Sequence, residues 1–343
     1  MQIARASLTL LAALAAGWAC AKAGVPLGWL VGAKLAMVLA GLLRLPAAQP
    51  VALMPWVKGA VGAMLGASIP VGVLGHLAGW WPTILAMFAV MALAGALNFR
   101  ILSTRFGFGR MDAALCAMPG GITEMIILGE QSGGDARRVA IVHAVRIALS
   151  ILAIPLLAQG IFGIAIASAD RLPPVHMTMP DWGWFLLCVA AGVAADRWTR
   201  LPVPLVTVPL ALSAALHLGA ISAFHVPPEV SRMVQVMIGV NVGARFLGFA
   251  LRDLAAVALA ALSVVAVQLS LALGAALALA RIGAGDALAL LLAYAPGGLA
   301  EMSLIAIAMG RETAFVALHH IIRVLCALFA APPLLTILGK TEP

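Results

Sequence analysis

Residues 118–157 read MPGGITEMIILGEQSGGDARRVAIVHAVRIALSILAIPLL, and residues 295–334 read APGGLAEMSLIAIAMGRETAFVALHHIIRVLCALFAAPPL. They align without a gap at an offset of 177. Pro119, Gly120, Gly121, Glu124, Met125, Gly133, His143, Arg146 and Pro155 fall on Pro296, Gly297, Gly298, Glu301, Met302, Gly310, His320, Arg323 and Pro332. An apolar composition yields chance matches at Ala and Leu, but not Glu, His, Arg and Pro in register, so the chain is an internal duplication. Each copy carries Pro-Gly-Gly inside an apolar segment. Proline removes a backbone donor there and the glycines release the helical constraint.

Working outward, the same offset pairs Val57, Gly62, Gly66 and Ala67 with Val234, Gly239, Gly243 and Ala244. A small shift upstream pairs Pro26-Leu27 with Pro204-Leu205, and Ala15-Ala16-Gly17 resembles Ala190-Ala191-Gly192. The repeats are therefore assigned to residues 1–165 and 181–343, with a linker at 166–180. The N-terminal run, with Arg5, apolar residues from Leu8 to Ala19 and Ala21-Lys22-Ala23, has the composition of a signal peptide. Its counterpart in the second repeat is a span, which argues against removal.

The chain has 343 residues, 64% hydrophobic and 10% charged, with a mean hydropathy of +1.10. A soluble domain of that size cannot bury so much apolar surface. At roughly 20 helical residues per crossing of an apolar core about 30 Å thick, there is room for ten to twelve spans joined by short loops. A water-soluble enzyme, a nucleic-acid-binding module and a disordered scaffold are excluded. The net charge of +8 sits mostly at one to three basic residues per loop and reads as topogenic. Cys20, Cys116, Cys188 and Cys326 lie far apart in apolar stretches and read as packing residues.

Each repeat contains six apolar elements, at about 5–22, 27–45, 55–75, 82–103, 111–131 and 136–162, then 182–199, 203–221, 230–248, 252–281, 286–308 and 313–338. The fifth, interrupted by Pro-Gly-Gly, either crosses as a broken helix or returns as a re-entrant hairpin. With all twelve spanning, ten basic residues fall on the N-terminal side and eight opposite, a split without direction. With both fifth elements re-entrant, the N-terminal side holds Arg5, Arg44, Lys58, Arg100, Arg105, Arg110, Arg137, Arg138, Arg197, Arg200, Arg245, Arg252 and Lys340, thirteen against five. The expected fold is an all-α polytopic membrane protein. It has two inverted repeats, each of about five spans plus one broken or re-entrant element, and both termini are cytoplasmic.

An ionised group at the centre of a membrane helix costs roughly 2.5–3.5 kcal/mol on insertion scales, so buried charges are the functional candidates. Glu124 and Glu301 stand three residues after the last glycine of each break, where a half-helix would begin. Its free N–H groups make the break a cradle for an anion or a polar solute, and the Glu is either that site's switch or a carboxylate complementing the dipole. His143 with Arg146, and His320 with Arg323, are spaced i, i+3 and share a face. The candidate pairs are Glu124 with Arg146 and Glu301 with Arg323. They act either as buried salt bridges or as an Arg clamp on a substrate carboxylate, with Glu or His carrying a proton.

His319 has Val142 at its matching position and reads as incidental, and Thr123 and Ser303 also lack polar counterparts. Asn98 and Asn241 line a pathway or bond across helices, and the Gly62/Gly66 and Gly239/Gly243 pairs read as packing. Lys34 either snorkels or pairs with an acid. Zincin, Cys-x-x-Cys, phosphate-loop and Gly-x-Ser-x-Gly patterns are absent. His76, His176, His217 and His225 are scattered, so neither a metal nor another cofactor is expected.

The duplicated Pro-Gly-Gly-x-x-Glu-Met, a Gly with an acid two residues on, Val-Ala-x-x-His-x-x-Arg and a closing Pro resemble the membrane AbrB family. In that family each half carries one AbrB duplication domain, and members are often labelled ammonia monooxygenase or regulators of gene expression. The resemblance extends to secondary transporters in which inverted repeats bring discontinuous helices together at the membrane midplane. It implies a central site at Pro119 to Glu124 and Pro296 to Glu301. The paired aspartates of some antiporters have no match here. The oxygenase label finds little support, since each repeated His has an Arg beside it that would repel a metal ion.

The expected function is secondary transport of a small polar solute, an organic anion above all, coupled to protons or sodium, without enzymatic chemistry. The alternative is a membrane-embedded sensor or regulator without transport. The expected partners are the solute, the coupling ion and the lipid bilayer of a bacterial inner membrane, with no nucleic acid and with room for a homo-oligomer.

Overall fold

The computed structural model describes residues 2–339 apart from 26, 70–71, 119–121, 132, 164–175, 200 and 202. The described residues form helices, with no strand among them. In the first repeat these are α1 (Gln2–Lys22), α2 (Gly28–Leu42), α3 (Met54–Ala67), α4 (Val73–His76), α5 (Trp81–Arg105), α6 (Arg110–Ala117), α7 (Ile122–Gln131) and α8 (Ala136–Phe162). In the second they are α9 (Met179–Trp198), α10 (Pro204–Leu218), α11 (Pro228–Ala244), α12 (Leu251–Arg281), α13 (Ala287–Tyr294), α14 (Leu299–Ala308) and α15 (Thr313–Gly339). Each apolar element of the sequence is helical, and both fifth elements are two short helices, α6 with α7 and α13 with α14. Three helical segments, Ala78–Arg105, Ala136–Phe162 and Leu251–Arg281, are long and apolar enough to cross a membrane, as the composition requires of a membrane protein.

Compactness divides the chain differently from the repeats. One unit comprises Met1–Ala78, Pro155–Gly248 and Ala300–Ala317; the other comprises Gly79–Ile154, Phe249–Leu299 and Leu318–Pro343. Each therefore draws helices from both repeats. The assigned linker lies mostly outside the described residues.

In the first unit α1 packs on α2 and α11, while α9 packs on α10 and α3; α3 lies along α10, and α11 along α2. Exchanging the repeats maps one set of neighbours onto the other. The duplicated glycines set these contacts. A Cβ on Gly62 would stand 2.4 Å from Val206 O and one on Gly66 2.4 Å from Leu210 O; on Gly239 it would meet Leu30 O at 2.5 Å, and on Gly243 Met37 Cβ at 2.5 Å. Backbones this close are the small-residue packing of membrane helices, which compensates for a weak hydrophobic drive between helices in lipid. Ser213 Oγ donates to Ala63 O at 2.8 Å, and Gln49 Nε2 donates to Asn241 Oδ1 at 2.7 Å, so Asn241 bonds across elements. Ser68 Oγ, just past α3, donates to Thr313 Oγ1 at 2.7 Å.

The repeat register at α2 and α10 differs from the pairing of Pro26-Leu27 with Pro204-Leu205. Leu27 and Val203, each just before its helix, share a left-handed backbone with φ of 53° and 52°, and Arg44 and Ala220, just after, repeat it at 54° and 52°. The local offset is therefore 176, and Leu27 corresponds to Val203. Matching prolines misled the alignment, whereas matching backbone conformation fixes it. Lys34 is 1% exposed on α2, so it does not snorkel.

In the second unit α5 packs on α6 and α12, and α12 on α13. Leu102, Leu115, Met125, Val139 and Val142 form a core with Val257, Ala261 and Val264. Polar ties close one end: Asp112 Oδ1 accepts from the Asp135 N–H at 2.8 Å, and Arg137 pairs with Asp253 at 2.7 Å. The Arg138 guanidinium lies 4.9 Å from the Phe108 ring centroid.

Candidate functional site

A helix that stops leaves its last carbonyls without N–H partners, and the proline after α6 and after α13 removes the next donor. In the second unit those carbonyls are taken by the repeated His and Arg. His143 Nε2 donates to Leu115 O at 3.0 Å, and Arg146 NH1 donates to Met118 O at 2.9 Å. In the second repeat His320 Nε2 donates to Leu292 O at 2.9 Å, and Arg323 NH1 donates to Ala295 O. All four bonds join residues 28 apart, so the i, i+3 pairs on α8 and α15 grip the ends of α6 and α13 identically. A cation at a helix C-terminus also complements the dipole.

The second break carries more. Arg323 NH2 donates to Gly297 O and, at 2.8 Å, to His320 Nδ1. His320 thus accepts at Nδ1 while it donates at Nε2, the neutral form. Ser150 Oγ on α8 donates to Pro296 O at 3.2 Å, joining a helix of one repeat to the break of the other. Tyr294, the last residue of α13, donates from its hydroxyl to Thr83 O at 2.6 Å. Thr83 Oγ1 donates to Trp80 O and accepts from His319 Nε2 at 3.0 Å. His319 is fully buried and belongs to this network, contrary to its incidental reading.

The Arg residues therefore bind freed main-chain oxygens, a partner that neither the salt-bridge nor the clamp reading named. Pro119, Gly120 and Gly121 lie outside the described residues, as does the side chain of Glu124. Pro296 and Gly297 are buried and Gly298 is half-buried. Glu301 is 8% exposed in the first turn of α14. It falls in the first unit, where it makes no ion pair among the described residues. Its place near the helix N-terminus is the one a carboxylate favours.

Three buried polar side chains lack hydrogen-bond partners among the described residues: Asn98 and Gln268 at both polar atoms, and Ser303 at Oγ; Arg323 Nε is a further such atom. In an apolar surrounding each is a group that a solute or water must satisfy. Ser150, Thr83, Gln268 and Tyr294 escaped the sequence reading. Their signal was weak, a single polar residue in an apolar helix with no duplicate. Among the described residues no group of three His, Cys, Asp or Glu could hold a metal ion.

A sequence model described as "Transition state regulatory protein AbrB" matches residues 29–339. The chain is 24% identical over 327 residues to "Putative regulator AbrB" of Escherichia coli (strain K12), covering 93% of this chain and 92% of that protein. It is 23% identical over 352 residues to "Uncharacterized protein YhjN" of Bacillus subtilis (strain 168), covering 93% and 89%.

Proposed function

The chain belongs to the AbrB family, and on that premise we propose that it is a secondary transporter of a small organic anion, driven by protons or sodium. The observation that carries this reading is the matched seating of His143 with Arg146 and of His320 with Arg323 on the two interrupted elements. Buried cations held at two equivalent helix breaks give an electropositive setting that an anion can enter, and alternation around such a pair needs both halves. In this reading the repeats are inverted and the breaks lie near the midplane of a bacterial inner membrane, with both termini cytoplasmic. Arg146 and Arg323 keep the breaks shaped and charged. Glu301 and Glu124 carry the coupling ion, because a carboxylate at membrane depth can be neutralised by a proton or by sodium. No bond of the solute is made or broken, so the protein is not an enzyme.

A second reading, a membrane-embedded regulator, is favoured by the name that the Escherichia coli relative carries. Reconstituted full-length protein separates the two. Charge movement on a solid-supported membrane and radiolabelled uptake are measured with a panel of small carboxylates and amino acids under imposed proton or sodium gradients. Transport predicts uptake that depends on both solute and gradient and disappears in the Glu124→Gln, Glu301→Gln double variant. No uptake of any solute by either method overturns transport in favour of the regulator.

A further inference from the structure

In the second unit α5, α6 and α15 border an apolar groove of about 520 Å³. No side chain lining it carries an N–H or O–H group, so it suits hydrocarbon and not a polar solute. Along α5 the lining runs from Phe88 to Phe99, a length of about 16 Å at 1.5 Å per residue. That is roughly half of an apolar core about 30 Å thick, the depth of one leaflet. The groove is open at Gly95, where an added Cβ would meet nothing within 4 Å. Only 17% of the most apolar stretch of Ala78–Arg105 is buried. Leu93 and Leu97, between the lining residues of α5, are exposed, as suits a helix that meets lipid.

One end of the groove is basic. Ala92, Ala96 and Arg100 follow at four-residue intervals on α5, and Arg110, Ala114 and Ala117 share a face of α6. Because α5 packs on α6 through the short connection 106–109, both arginines stand one turn beyond the lining at the same end. Their side chains are exposed and make no ion pair among the described residues; Asp112, Asp135 and Asp253 pair instead with Arg138 and Arg137. A hydrocarbon groove of one leaflet's depth that ends on two arginines matches an acyl chain below a phosphate. We infer that this groove binds an anionic phospholipid of the phosphatidylglycerol class, with one acyl chain along α5 and the phosphate at Arg100 and Arg110. A second copy of the chain fits less well, because a two-fold contact through this face brings the same arginines to the same level, where they repel. Met118, whose carbonyl Arg146 holds, is part of the wall, so the bound chain backs the first break. The site does not depend on transport, since a regulator of this structure would bind the same lipid.

Native mass spectrometry of the full chain in detergent tests it, with phosphatidylglycerol and phosphatidylcholine of identical acyl chains titrated separately. Each arginine beside an anionic head group corresponds to roughly fivefold in affinity, so phosphatidylglycerol is expected to bind about 25-fold tighter. Arg100→Gln combined with Arg110→Gln is expected to bring the two lipids to within about twofold of each other. Gly95→Leu places a side chain in the open groove and is expected to weaken both lipids several-fold at an unchanged ratio, because hydrocarbon contacts are lost and charge is not. Equal binding of the two lipids by the unaltered protein overturns the site, as does a preference that survives the paired arginine substitutions. Lipid binding unchanged by Gly95→Leu also overturns it, and a dimer that the same substitution dissociates would then give the groove to a second copy.

Discussion

Arg323 donates to the main-chain oxygen of Ala295, the residue that caps the C-terminal end of α13. The same guanidinium reaches Gly297 O and the ring of His320, so one planar fork closes the opened end of a helix. Arg146 repeats the first of these bonds at Met118.

Lysine cannot reproduce that fork, because its ammonium is a compact point charge. Arg323→Lys is expected to lower stability by about 2–3 kcal/mol, the order of losing hydrogen bonds from a buried charged group. Thermal unfolding in detergent, followed by circular dichroism, measures this, and an unchanged midpoint would contradict the capping role.

Gly66→Ala inserts a methyl group 2.4 Å from Leu210 O and 2.6 Å from Ser213 Cβ. The helices must separate, at a cost of about 1–3 kcal/mol. Gly274→Ala on α12 is the control, because its added methyl meets nothing within 4 Å. It should be neutral or stabilise by up to about 1 kcal/mol through helix propensity. Melting midpoints that fall equally for the two would refute the packing argument.

Ala220 is exposed with φ 52°, a left-handed conformation that a Cβ disfavours by roughly 1–2 kcal/mol. Ala220→Gly relieves this and should raise stability by up to about 1 kcal/mol, the greater freedom of glycine in the unfolded chain offsetting part of the gain. The expected sign is the reverse of an ordinary glycine substitution, which makes a rise in melting temperature diagnostic.

At the start of α9 the Thr178 hydroxyl and backbone N–H both donate to Asp181 Oδ2, at 2.6 and 3.0 Å. The hydroxyl first, then the N–H, hold this carboxyl below its ordinary range. A depressed carboxyl supports the fold above its unfolded value and loses that support as pH falls through the folded one. Thr178→Val should therefore lower the melting temperature near pH 6 by more than it does below about pH 4. A gap that stays constant down to pH 3 would exclude the linkage.

The sequence declared the helices more completely than their partners. The twelve apolar runs fall on helices, because a backbone in an apolar surrounding must satisfy its own polar groups, and Pro-Gly-Gly marked both interruptions because those residues act on their own backbone; the short α4 inside the third run left no mark of its own. Packing partners left a fainter trace. Gly62 and Gly239 announced a close approach without saying against what, and the structure gives each a helix of the other repeat. The partners of Arg146 and Arg323 are carbonyl oxygens, which every residue owns and no residue type advertises. A charge-by-charge reading therefore turned to the nearest acids instead. Gln268 and Tyr294 are unduplicated, so a search built on matched pairs passed over them.

That α3 rests on α10 and α2 on α11 has a consequence for biogenesis. The ribosome makes Gly62 roughly 150 residues before the backbone it packs against, a wait of about 8–30 s at 5–20 residues per second. Through that interval the bare glycine faces of the early helices lack the backbones they pack against. The first half of the chain thus completes its packing only when the second half has been made, and a truncated product would leave those faces permanently unclaimed.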